Sequence, residues 1–503
     1  MEDSETPTDQ VQSALEPVPT THPGGRILAR GIMWVGAFRW SAQVISWGCT
    51  LVVLHILTPS DYGIVGMTTY FIGLAGVFSE FGIGSAIIAS RSLSRDASRQ
   101  MNTVAVALGA TGSLLALGFA PLLSRYFREP LLIQVLPVLG LGFVIDSMRT
   151  VPIALLMKNL EYRRAATVDF LRAGSGAIAV LLLAVSGAGY WALVGGGLVG
   201  STVATGWVLR RSILGWAMPK VAELREPLRY AWQLVGERLA WQGYQNADFL
   251  VAGRMFGAVI LGGYNVAWTI ASLPGDKFTS VINASMGPFF ASFREQPGPL
   301  RHYFLRGTML LSIVIVPVLI GLFLVADLAI PVVLGARWTP AVGPARALIM
   351  YALLNSFLAL IITLLHSVGR TDVSLKNGLL SLLVLPISFV LGGRLGGITG
   401  IALAWTAAYP LLMAMPLRTT MRILDIRLRD YLAAFVPVLG PAIVMSLIVV
   451  GFRWTVQARL APGLSLAGAI LLGGAGFAGV LYASQREQLR GLVALLRPAP
   501  RDP

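Results

Sequence analysis

LTPSDYGIVGMTTY, residues 57–70, and FGAVILGGYNVAWT, residues 256–269, align when the sequence is slid by 199 residues, and the slide brings Gly63 onto Gly262. The same shift sets Arg39 on Arg238, Gln43 on Gln242 and Ser46 on Gln245. At i, i+4 and i+7, the three polar groups of each copy share one helix face. A second offset of 208 sets AGYWALV (188–194) against GGITGIA (396–402). Duplicated halves with a substrate path between them are a common transporter plan. The chain therefore reads as two parallel copies joined by RRSILGWAMPKVAELREPLR (210–229).

The medium follows from composition. Of 503 residues, 55% are hydrophobic and 13% charged, and the mean hydropathy is +0.72. That is a polytopic all-α membrane protein, because a hydrocarbon core of about 30 Å takes roughly 20 apolar residues per helix and every backbone polar group must be satisfied within the segment. Fourteen such segments are expected near 30–57, 62–88, 101–123, 131–156, 166–186, 189–209, 229–253, 259–290, 305–328, 342–367, 375–392, 396–416, 432–452 and 464–483. The first six form an N-lobe (29–209), the next six a C-lobe (229–417) after a linker (210–228), and the last two an addition (431–484). Residues 1–28 and 485–503 read as tails, the first acidic and rich in Pro and Thr, unlike a basic signal peptide.

A net charge of +15 suggests nucleic acid until the charges are placed. The termini and even-numbered loops hold 27 of the 39 Lys and Arg, the odd-numbered loops hold 8, and four (Arg39, Arg149, Arg238 and Lys277) lie inside helices. By the positive-inside rule both termini are cytosolic, and no nucleic-acid partner is expected. The single cysteine, Cys49, permits no intramolecular disulfide. The four histidines have no metal-ligand spacing, so no metal or other cofactor is expected.

Four passages resemble the Wzx-type oligosaccharide flippases, in the polysaccharide branch of the multidrug/oligosaccharidyl-lipid/polysaccharide (MOP) exporter superfamily. They are LTPSDYGIVGMTTYFIGLAGVFSEFGIGSAII (57–88), MKNLEYRRAATVDFLRAGSGAIAVLLLAVSGAGYWALVGG (157–196), NADFLVAGRMFGAVILGGYNVAWTIASLP (246–274) and HSVGRTDVSLKNGLL (366–380), with support from VLGARWTPAV (333–342). The resemblance implies a V-shaped bundle of two six-helix lobes that opens alternately to cytosol and periplasm. It also implies a substrate: an oligosaccharide repeat unit on a polyprenyl diphosphate, carried across the bacterial inner membrane for exopolysaccharide, capsule or lipopolysaccharide assembly. Membrane lipid, a coupling proton or Na⁺ and the polysaccharide polymerase machinery are the further partners it suggests.

Ionisable groups at membrane depth are candidate sites by default. Arg39 and Arg238 suit a diphosphate, since a guanidinium stays charged and its fork pairs with phosphate oxygens. Snorkelling to the interface is the competing reading, because Arg39 lies only roughly 13 Å along the helix from Arg30. Gln43, Ser46, Gln242 and Gln245 flank the pair, and Trp47 and Trp241 are candidate sugar contacts with an interfacial role as the alternative. Glu80 and Asp276 occupy similar places in the two copies and are candidates for cation coupling, with an interfacial salt bridge as the competing reading. Asp248 is assigned a structural hydrogen-bonding role at the outer end of its helix, near Arg254. Asp146 and Arg149, three apart, are expected to neutralise one another.

Two other functions share this setting. A membrane polysaccharide polymerase or ligase needs a catalytic constellation on a large loop, and the loops here are only about fifteen to twenty residues with no clustered acid, His or Ser/His/Asp set. A multidrug exporter of the same superfamily carries cations and favours a negative cavity, against the paired arginines.

Overall fold

The computed structural model of the chain describes residues 43, 45–80, 82–90, 94–211, 215–220, 239, 241–456 and 460–484; side chains at 78–80, 89, 276–285 and 456 are outside the description. Every regular element among the described residues is helical. In chain order these are α1 (Ile45–Ile56), α2 (Pro59–Glu80), α3 (Ile83–Ala89), α4 (Arg95–Phe127), α5 (Leu132–Lys158), α6 (Tyr162–Val185) and α7 (Tyr190–Leu209). Then follow α8 (Ala247–Ser292), α9 (Pro297–Leu334), a 3₁₀ turn (Ala336–Ala341), α10 (Val342–Ser367), α11 (Thr371–Leu424), α12 (Leu428–Ala433), α13 (Val436–Val456) and α14 (Pro462–Ser484). Ten described helical stretches are long and apolar enough to cross a bilayer, so the chain is a multi-pass membrane protein.

At 46 and 54 residues, α8 and α11 are each longer than one crossing needs. Both bend at glycines: Gly257 (φ 75°, ψ −177°) in α8, and Gly396–Gly397 in α11. The bends fall where hydropathy separates 229–253 from 259–290 and 375–392 from 396–416. Elsewhere hydropathy misleads. The segment expected as one helix over 62–88 is two, because Gly82 takes left-handed angles (φ 62°, ψ 11°) between α2 and α3. The segment expected over 229–253 leaves the helix at Asn246 (φ −122°, ψ 16°), directly before α8. Arg172, grouped with the loop charges above, lies in the middle of α6.

The chain divides into two compact units. Unit 1 comprises residues up to Val53, Phe78–Leu117 and Pro137–Leu234; unit 2 comprises Leu54–Val77, Gly118–Leu136 and Val235 onward. In unit 1, α6 and α7 form a hairpin through Gly189 (φ 56°, ψ −134°), a conformation open essentially to glycine alone. Gly200 lets the two helices touch, since a Cβ there would lie 2.5 Å from the Arg172 carbonyl oxygen. Gly397, the partner of Gly189 under the 208-residue shift, takes nearly the same angles (φ 60°, ψ −148°).

Unit 2 contains the crossing of α2 and α8. A Cβ on Gly63 would sit 1.8 Å from the Ala258 carbonyl oxygen, and one on Gly262 would sit 1.7 Å from that of Pro59. Pro59 and Ala258, like Gly63 and Gly262, are related by the 199-residue shift, so each copy offers the same glycine to the same place on the other. Asn265 Nδ2 donates to the Tyr62 carbonyl (3.2 Å) beside the crossing.

Within unit 2, the turn ARWTPA holds the end of α1. Trp338 Nε1 donates to the Leu54 carbonyl (2.9 Å) and an Arg337 amino group to that of Leu57 (3.3 Å). These are carbonyls that a helix C-terminus leaves without an internal partner. At the other end of the chain, α13 and α14 pack on α9 through Val325, Leu328, Met445, Val449 and Phe477. Asp327 of α9 joins them by accepting from Arg453 of α13 (2.6 and 2.9 Å) and from Arg346 of α10 (2.7 Å).

Candidate substrate site

Asp248, in the second residue of α8, is fully buried. Its Oδ2 accepts from Tyr264 Oη (2.5 Å) and from Trp405 Nε1 (2.9 Å), and its Oδ1 from the Phe249 N–H (3.0 Å). Tyr264 lies further along α8 beyond the Gly257 bend, and Trp405 lies in α11 beyond Gly397. One carboxylate thus joins three stretches of helix. Arg254 is not among its partners; that guanidinium lies over the Tyr126 ring, 5.8 Å from its centre.

The rings held by Asp248 belong to a larger cluster. Trp268, four residues after Tyr264, sits 5.4 Å from Trp405 and 5.7 Å from Tyr351 of α10, centre to centre. Tyr351 stands edge-on to Tyr409 at 4.8 Å, and Tyr409 Oη donates to Asn355 Oδ1. Beside these rings is a cavity of about 70 Å³, lined by Gln245, Trp268, Ser272, Tyr351 and Asn355 and closed by small residues and Leu348. Among the described residues, no charged side chain lines it. Gln245 reaches this wall because the chain leaves the helix at the next residue, and irregular backbone at membrane depth is tolerated where it lines a cavity or is buried in protein.

The other predicted residues fall as follows. Arg39 and Arg238 lie outside the described residues. Gln242 is buried, its amide filling the space left by the missing Cβ of Gly73 in α2. Trp241 and Trp47 are exposed, while Gln43 and Ser46 are half-buried. Glu80 lies in α2 and Asp276 in α8, but their side chains lie outside the description. In unit 1, Arg149 Nε donates to Asp146 Oδ1 (2.9 Å), and Arg172 of α6 donates to Asp146 Oδ2 (3.2 Å). With Arg172 present the cluster carries two guanidiniums on one carboxylate, so the neutralisation expected of Asp146 and Arg149 leaves one positive charge over.

Residues 52–343 match the family described as "Polysaccharide biosynthesis protein", which is more than half of the chain. The chain belongs to this family. Among its relatives, "Lipopolysaccharide biosynthesis protein WzxC" of Escherichia coli K12 is 26% identical over 384 residues, covering 74% of this chain and 77% of WzxC. The fold is that of the solved structure titled "Lipid II flippase MurJ, inward closed conformation": TM-score 0.73 at 13% identity, over 91% of this chain and 100% of that one. An inward-facing multidrug MATE transporter of the MOP superfamily has a TM-score of 0.62 at 16% identity, over 76% of this chain and 96% of that one. The passages that carry the resemblance have physical roles here: NADFLVAGR carries the helix break and the Asp248 anchor, GARWTPA holds the end of α1, and SGAGYWALV makes the α6–α7 turn.

Motif reading singled out Asp248 but missed Trp268, Tyr351, Asn355, Ser272 and Trp405. One local signal was present. Tyr264 and Trp268, like Trp405 and Tyr409, stand four apart on one helix face.

Proposed function

We propose that this protein translocates a polyprenyl-diphosphate-linked oligosaccharide repeat unit across the bacterial cytoplasmic membrane, by alternating access, for the assembly of an extracellular polysaccharide, capsule or lipopolysaccharide. It is a transporter in this reading and makes or breaks no covalent bond. The observation that carries the reading is membership of the polysaccharide biosynthesis family over residues 52–343 on a chain with the fold of a lipid II flippase.

The diphosphate needs cations at membrane depth. Arg39 and Arg238 are the pair that the repeat places in register, flanked by Gln43, Ser46, Gln242 and Gln245. Arg172 and Arg149 add a second source: they lie about 15 Å from the start of α6 and about 14 Å from the end of α5 respectively, at comparable depth. Arg172 keeps 47% of its side chain exposed. A guanidinium so placed faces water or a polar ligand rather than lipid tails. Trp47 and Trp241 remain candidate sugar contacts, Glu80 and Asp276 candidates for exchanging the coupling proton or Na⁺, and both termini are assigned to the cytosol by charge.

Deleting the gene and analysing the lipid-linked sugars tests the reading. The complete repeat unit should accumulate on its carrier, facing the cytosol; an incomplete unit points to an enzyme instead. Arg39→Ala and Arg238→Ala should each lower polysaccharide export at normal protein levels, and undiminished export in both removes the diphosphate role.

A further inference from the structure

We infer that the cavity between α8 and α10 in unit 2 is a sugar subsite, which takes one polar edge of an uncharged sugar residue of the transported oligosaccharide. This rests on the transport reading above and adds a selectivity to it.

The lining chemistry excludes the other parts of the substrate. A diphosphate needs cations, and among the described side chains none that lines the cavity is charged. A coupling cation needs an available carboxylate oxygen, and among the described side chains the nearby carboxylate, Asp248, already accepts from Tyr264, Trp405 and the Phe249 N–H. A polyprenyl tail needs an apolar surface, whereas Gln245, Ser272 and Asn355 bring two amides and a hydroxyl into the wall. A neutral polyol matches what remains. Sugar hydroxyls donate and accept at once, as do amides and hydroxyls, and the C–H face of a pyranose packs on an aromatic ring. Asn355 spends its Oδ1 on Tyr409, so it meets a ligand with its Nδ2 donors.

Size and rigidity sharpen the assignment. On the scale where one water takes about 10–15 Å³, a cavity of about 70 Å³ admits a hydroxyl-bearing edge and not a whole ring. Trp268, half-buried, packs against both Trp405 and Tyr351, which lie 4.6 Å from each other, centre to centre. Asp248 in turn fixes Trp405 and Tyr264, which makes it a positioning residue for this wall. Preorganisation of that kind lets a small number of hydrogen bonds discriminate, because an analogue that leaves them unmade gains no compensating freedom.

Binding of two probes to the purified full-length protein by native mass spectrometry tests the inference. One is the polyprenyl diphosphate bearing the complete repeat unit, extracted from cells lacking the gene; the other is bare polyprenyl diphosphate. Asn355→Leu and, as a milder change, Ser272→Ala should weaken binding of the sugar-bearing probe, Asn355→Leu by about tenfold, and leave the bare probe unchanged. Thermal unfolding equal to that of the wild type shows that each variant is folded. Unchanged binding of both probes by folded variants overturns the subsite and leaves the transport reading standing. Equal weakening for both probes also overturns it, by giving the cavity to the carrier. A wild-type protein that binds neither probe fails the transport reading itself.

Discussion

Asp248 accepts hydrogen bonds from three donors, and its removal strands a hydroxyl and an indole N–H in a fully buried place, while the Phe249 N–H keeps the Asn246 carbonyl (3.1 Å). Each buried donor left unmade costs roughly 1–3 kcal/mol. Asp248→Ala should therefore destabilise the protein by at least about 2 kcal/mol, read as a lowered midpoint of thermal unfolding in detergent. Asp248→Asn, which keeps an acceptor for the two side chains, should cost less. A loss no larger for Ala than for Asn contradicts the anchoring role. The carboxylate itself is legible in NADFLVAGR, as an acid where the bilayer disfavours one. Its partners are not, for Tyr264 is 16 residues away and Trp405 is 157 away, and no local periodicity joins α8 to α11. Gln242 and Gln245 make the same point: one turn apart, they differ because one meets Gly73 and the other a ring cluster.

Among the elements, glycines set where helices bend and how near they come. Gly63→Leu or Gly262→Leu forces a side chain into a carbonyl less than 2 Å away, so α2 and α8 must part. Either variant should lose the monodisperse peak in size-exclusion chromatography. Gly321→Ala, in α9 with open space around it, should keep that peak. Gly189→Ala and Gly397→Ala both strain the backbone at positive φ, at a cost of roughly 1–3 kcal/mol each. Similar penalties at the two sites would fit their place in the repeat; a cost at only one would not. Hydropathy locates α10 and the pair α13–α14 closely, because apolar length is what a bilayer selects. It passes over Gly82 and Asn246, since a left-handed residue or a one-residue break leaves the apolar run intact.

For the molecule as a whole, the class and the family were legible from composition and motif order, whereas the role of the last two helices was not. Their apolar surface has no sequence signal that names its partner; the structure lays it on α9 and pins it with the ion cluster of Asp327, Arg346 and Arg453. By hydropathy Arg346 falls in the first turn or so of the segment 342–367 and Arg453 just past the end of 432–452, where both read as ordinary interfacial charges. Arg453 instead donates to both oxygens of Asp327 and to the Leu324 carbonyl of α9, with 18% of its side chain exposed. Arg453→Ala removes those charge-assisted bonds but leaves Arg346 to hold Asp327, so the expected loss is about 2 kcal/mol. Arg453→Lys should recover only part of it, because an ammonium cannot reproduce the two-pronged geometry. Asp327→Ala takes the carboxylate from both guanidiniums, leaving them only backbone carbonyls such as those of Leu324 and Phe323, and should cost more than Arg453→Ala. The measurement is thermal unfolding of the three variants in one detergent: the order Asp327→Ala, Arg453→Ala, Arg453→Lys, from least to most stable, supports a clamp on α13–α14, and equal midpoints for all three and the wild type remove it.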